Sequence, residues 1–234
     1  MFAAGIRGYN VPMTLGNSDL ARKSILARIR KAQGRGDRPS AAEIDAAETY
    51  LKGRPRGPLP VVEGDLVARF RSGAESMQCT HEIVDSATLV PDAAARYLSA
   101  LKLPLTGCVS PALAAMDWSA AGFALDARAA RDADAVGITG TFAGIAETGT
   151  LMIVSGPETP GSVSLLPETH IAMIHARRIV SHMEDAWALL RAELGRPPRA
   201  VNFISGPSRT GDIEQTIVLG AHGPYRVHII VVRD

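Results

Sequence analysis

Three segments place polar and glycine-rich residues directly beside short apolar runs. In an open α/β sheet this is where ligand sites gather, at the carboxyl ends of the strands. The first is GITGTFAGIAETGTLMIV, residues 137–154. Its centre holds Glu147, Thr148, Gly149 and Thr150 between two apolar stretches. A carboxylate flanked by hydroxyls and a glycine can act as a general base or nucleophile beside backbone donors. The same residues also suit a tight turn with a solvated Glu147. The second segment is SLLPETHIAMI, residues 164–174, where Pro167 fixes the chain and His170 directly precedes a buried run. A neutral histidine there can accept a proton or bond a ligand, or simply open a strand.

The third segment, residues 203–224, reads FISGPSRTGDIEQTIVLGAHGP. After Ser205 come Gly206, Pro207, Ser208, Arg209, Thr210, Gly211 and Asp212 without an apolar residue. Glycine backbone donors, hydroxyls and a guanidinium are the components of a cradle for phosphate or carboxylate. The spacing matches neither the nucleotide P-loop nor the dinucleotide fingerprint. Asp212 and Glu214 suit the cap of a following helix. His222 is a further candidate ligand contact. His170 and His222 lack a third partner at metal-ligand spacing, so no metal site is expected.

The elements that must position these residues follow from periodicity. AVGITG, GTLMIVS, HIAMI, AVNFIS and RVHIIVV are short runs rich in β-branched residues, bounded by Gly, Pro or Ser. Such runs suit strands buried on both faces. SHMEDAWALLRAELG reads as a helix with Ser181 as N-cap, Glu184 at N3 and Gly195 as stop. HIAMI, this helix and AVNFIS then predict a βαβ unit with a parallel pair. Upstream, residues 64–77 read as a helix with Leu66, Val67 and Phe70 on one side. HEIVD and LTGCVS read as strands, and Pro91 opens a helix. Residues 61–234 are therefore expected to form one three-layer α/β domain with a mainly parallel sheet.

Residues 1–60 read as an appendage. One amphipathic helix is expected from Asp19 to Gln33, with Ser18 as N-cap and Gly34 as a left-handed stop. A second runs from Ala41 to Lys52 behind a Ser40–Glu43 capping box. GRPRGPLP, residues 53–60, then acts as a linker. This part carries a net charge of +6 and residues 61–234 carry −5. No aromatic interleaving accompanies the basic charge, so a nucleic-acid partner is not expected.

Composition narrows the function further. The 234 residues are 46% hydrophobic and 21% charged, ordinary for a globular protein. Mean hydropathy is +0.07, yet no apolar run approaches the roughly 18–20 residues that span a bilayer. The opening MFAAGIRGYNVPM lacks the pattern of a secretory signal, so a cytoplasmic location is expected. Cys79 and Cys108 are the only cysteines and stand in unrelated contexts. The chain alone cannot ligate an iron–sulfur cluster, and no cofactor of its own is expected.

IAETGTLMIV, SLLPETHIAMI and SGPSRTGDIEQTIVLGAHGP, in this order, resemble the signature of the LUD domain family of lactate utilization proteins. The resemblance covers about residues 62–232, and SDLARKSILARIRKAQG resembles the family's N-terminal segment. One departure is Gly211, where SGPSRTADIE would carry alanine. Residues 1–12 lie upstream of the family-like start near Met13. The resemblance implies a fold similar to the NagB, ribose-5-phosphate isomerase and CoA-transferase-like superfamily. It also implies a non-redox role in cytosolic oxidation of L-lactate to pyruvate, shared with iron–sulfur partner subunits. A small-anion pocket would then lie between the 147–150 and 206–212 loops. Two other readings stay open. One is a stand-alone acyl- or phosphoester-handling enzyme using Glu147. The other is a scaffold with a vestigial pocket, and a homo-oligomer is compatible with each.

Overall fold

Valine- and isoleucine-rich runs favour extended backbone, and a run that is apolar on both faces must be covered on both. The computed structural model, which describes residues 15–36, 38–213 and 216–233, shows how this is met. Two compact units divide between Gly57 and Pro58.

The first unit contains α1 (Leu15–Ala32) and α2 (Ala41–Gly53). Helix α1 starts before Ser18, which therefore sits in its first turns rather than capping it. Gly34 has φ +65°, and the Arg35 amide donates to the Arg30 carbonyl at 2.9 Å, a Schellman stop. The Ser40–Glu43 capping box is formed as expected. No described residue of this unit is buried.

The second unit opens with α3 (Leu66–Ser76), capped by Asp65 through the Val67 amide at 2.9 Å. Then come β1 (Thr80–Val84), α4 (Val90–Ala100), β2 (Thr106–Val109), β3 (Ala124–Ala127) and β4 (Val136–Gly140). They are followed by β5 (Ala143–Ile145), β6 (Thr150–Val154), β7 (Thr169–His175), β8 (Ile179–Val180) and α5 (Met183–Leu194). β9 (Val201–Ile204), β10 (Arg209–Ile213), β11 (Thr216–Leu219) and β12 (Arg226–Val232) complete the chain.

Six strands form a wholly parallel sheet in the order β1-β12-β7-β4-β2-β3. Helix α4 covers one face, where Leu98 packs with Ile138, Ile171 and Ile230. The other face meets Phe70 and Ala74 of α3 together with Leu151 and Ile153 of β6.

Strand β6 belongs to a second sheet, ordered β8-β5-β6-β9, in which β6 runs antiparallel to both neighbours. Its outer face, with Ile145 and Met152, packs on Ala186 and Leu190 of α5. This corrects the expected βαβ unit: β7 and β9 lie in different sheets, so they are not a parallel pair. The reason is the short β8, which leaves the main sheet after β7 and pairs with β5. Helix α5 therefore returns the chain beside β6. The helix expected after residue 211 is also replaced, by the β10–β11 hairpin.

Candidate functional site

Glu147 and His182 each follow a short strand by two residues, and those strands are parallel neighbours with Ile145 opposite Val180. The ladder continues past both ends. The Ala146 amide donates to the Val180 carbonyl at 2.8 Å, and the Glu147 amide donates to the Ser181 carbonyl at 3.0 Å. That last bond holds Ser181 in line with the strand, so the helix begins one residue later than its sequence suggests. His182, not Ser181, is the N-cap, and Asp185, not Glu184, occupies N3, accepting from the His182 amide at 3.1 Å.

The continued register brings the two side chains together. Glu147 Oε2 lies 2.9 Å from His182 Nδ1. Their side chains keep 27% and 12% exposure. Nδ1 is the ring nitrogen that faces the carboxylate, and Nε2 is the one turned from it. The supporting elements are tied together by Arg178, just before β8. It donates to the Phe142 carbonyl at 2.7 Å, pairs with Glu193 of α5 and lies over the Phe142 ring.

Beside the pair runs a row of hydroxyls. Thr148 Oγ1 bonds Thr150 Oγ1 at 2.7 Å, and Thr150 Oγ1 bonds Ser205 Oγ at 2.6 Å. Thr148 and Ser205 are exposed and Thr150 is buried. The first and third segments therefore do meet, through Ser205, the residue that follows β9. Gly149 serves packing: at φ +66°, a Cβ there would lie 2.0 Å from the Ala74 amide nitrogen of α3.

Several residues of the expected anion loop are packed or bonded within the protein. A Cβ on Gly206 (φ +89°) would lie 2.1 Å from the Met77 carbonyl oxygen. Arg209 donates to that same carbonyl at 2.7 Å, closing the end of α3. The Ser208 amide donates to the Pro224 carbonyl at 2.9 Å. The Ser208 amide and one guanidinium nitrogen of Arg209 are thus bonded within the protein, while Arg209 itself stays exposed. Thr210 is buried in β10. Asp212 lies in the same strand, its side chain outside the described residues, as is Glu214. His222 is exposed in the turn before β12.

His170 is fully buried in β7, with Nε2 2.8 Å from Thr139 Oγ1 and Nδ1 unpartnered. Burial pushes its pKa down to about 3, so it is neutral. The structure pairs Glu147 with His182 rather than with His170. Among the described residues no cluster of His, Cys, Asp or Glu is arranged to hold a metal, and no helix is long and apolar enough to cross a membrane. His182 was not legible as a site residue by spacing. Its one signal is its place at the first turn of a well-marked helix, where ligands often dock.

The LUD domain model matches residues 114–232, a span that contains every one of these site residues. Lactate utilization protein C of Bacillus licheniformis is 36% identical over 121 residues, 50% of this chain and 50% of that protein. The Bacillus subtilis protein of the same name is 39% identical over 102 residues, 42% of each chain. That of Shouchella clausii is 44% identical over 101 residues, 42% of this chain and 44% of its own. The chain spans about half the length of the curated relatives it matches. A crystal structure of a DUF162 family protein from Deinococcus radiodurans shares the fold, with a TM-score of 0.55 and 23% identity. The match covers 74% of this chain and 99% of that one.

Proposed function

Because the chain belongs to the LUD domain family, we propose that it serves lactate utilization as the non-redox component of a cytoplasmic system oxidising L-lactate to pyruvate. The observation that carries this reading is the 2.9 Å bond between Glu147 and His182. A 2-hydroxy acid must release its hydroxyl proton when it becomes a 2-oxo acid, and a carboxylate-held imidazole accepts such a proton. The exposed hydroxyls of Thr148 and Ser205 supply donors for the substrate carboxylate.

The C2–H bond breaks with its two electrons and proton passing to a two-electron acceptor held by the partner subunits, from which their iron–sulfur clusters draw the electrons one at a time. Supporting this division, both cysteines of this chain are buried. Burial pushes the Cys79 thiol up to about 11 and the Cys108 thiol up to about 12, the latter helped by Asp134, so neither is a ready thiolate.

The test is complementation of a host that needs the gene for growth on L-lactate. Glu147→Gln and His182→Gln should accumulate like wild type yet fail to support growth. The double variant should be no worse than either single change, because the two groups act as one unit. Full growth with both single variants would make the pair structural. Affinity purification from lactate-grown cells should also recover coloured iron–sulfur proteins.

A further inference from the structure

The amino-terminal edge of the six-stranded sheet, opposite the end where parallel sheets usually bind ligands, holds a separate cavity of about 270 Å³. Its polar wall comes from Gln78 and Thr80 at the start of β1, Tyr97 near the end of α4, and Tyr225 and Arg226 at the start of β12. Arg226 is the informative residue. Its guanidinium is half-buried, yet among the described residues no carboxylate pairs with it. It makes one long contact of 3.5 Å to Thr169 Oγ1 and lies 4.8 Å over the Tyr225 ring. A permanently charged group drawn partly out of water without a counter-charge is costly, so this position selects an anion.

The neighbouring hydroxyls are held in place rather than adaptable. His228 lies directly behind them: its Nδ1 is 2.8 Å from Thr80 Oγ1, and its ring stacks on Tyr97 at 3.9 Å between centroids, 10° from coplanar. His228 is itself uncharged, because burial and nearby His81 push its pKa down to about 4. Among the described residues, Arg226 is thus the single cation in the cavity wall. The remaining wall is apolar and includes Leu101 and Leu219. One planar guanidinium, hydroxyls fixed in place and an apolar side within so small a volume match a compact organic acid. A doubly charged oxyanion would leave a charge unmatched and the apolar wall unused.

We propose that this cavity binds a small organic monocarboxylate, its carboxylate on Arg226 and its hydrocarbon part against Leu101 and Leu219. This site is distinct from the Glu147–His182 pair and does not depend on the function assigned to that pair.

Ligand-observed NMR titration of the full chain with acetate, L-lactate, pyruvate and inorganic phosphate tests it. The carboxylates should bind saturably and compete with one another. Arg226→Gln should weaken this binding by about tenfold or more. Leu101→Trp, which fills the cavity from a different element, should do the same. The Arg226-dependent binding should persist in Glu147→Gln, which separates this site from the first. Carboxylate binding that is absent at tens of millimolar, or that survives both cavity variants, overturns the proposal. Phosphate binding as tightly as the carboxylates, with the same dependence on Arg226, overturns the carboxylate assignment. If Arg226→Gln does not fold, Leu101→Trp and Arg226→Lys decide the matter by the same criteria.

Discussion

Arg209 and Glu147 looked equally chemical in sequence, each polar and beside glycine and hydroxyl residues, and the fold treats them oppositely. Arg209 closes the last turn of α3 through the Met77 carbonyl. Glu147 sits at a strand end with its carboxylate on an imidazole. The difference lies in what reaches each side chain across the chain: Met77 is far upstream of Arg209, and His182 is far downstream of Glu147. Neither partner is implied by local spacing, so Glu147 was legible as a candidate and its partner was not. Arg209→Ala should lower stability by about 1 kcal/mol, the usual worth of a charged donor on a helix C-terminal carbonyl. It should leave growth on lactate intact. Chemical denaturation measures the first and complementation the second, and a variant of wild-type stability that cannot grow would return Arg209 to the functional site.

Helix α3 links the two glycine-rich segments at the scale of elements. Its backbone at Gly73 and Ala74 meets the Thr148–Gly149 turn, and its C-terminal carbonyl at Met77 meets Gly206 and Arg209. A Cβ on Gly73 would lie 2.6 Å from the Gly149 nitrogen, so neither glycine has room for a side chain. Gly149 also needs the left-handed φ of +66°. Gly149→Ala should therefore destabilise the protein by about 3 kcal/mol or more, since strain and backbone overlap add at one position. The shift in denaturation midpoint reads this directly. A loss below about 1 kcal/mol would show that α3 can move away from the turn.

The whole molecule carries an acid sensitivity set by two buried histidines. His170 and His228 have pKa values pushed down to about 3 and about 4 by burial. Both start from 6.5 in the unfolded chain, so below that pH the unfolded state binds protons that the folded state refuses. Stability is full above about pH 6.5 and falls as pH drops toward the folded values, by up to about 1.4 kcal/mol per pH unit for each histidine. The thermal midpoint should fall steadily from pH 7 to pH 5, and a flat profile would mean that neither ring is held neutral by the fold.

Burial and backbone state were written in the sequence. The unbroken apolar runs that became β4, β7 and β12 announced strands covered on both faces. Ser40 with Glu43 announced a helix start, and Gly34 and Gly195 announced helix ends. These features depend on side-chain period and on local φ and ψ, which neighbouring residues impose on each other. Partner choice was decided by the tertiary structure alone. A run such as LMIV or VNFI does not specify which sheet it joins, so the second sheet and the antiparallel return of β9 were hidden. One bond of the continued β5–β8 ladder, from Glu147 to the Ser181 carbonyl, delayed helix α5 by a residue and placed His182 against Glu147. The Arg226 guanidinium, without a carboxylate partner among the described residues, emerged in the same way, because a counter-charge or its lack shows only once neighbours from across the fold are in place.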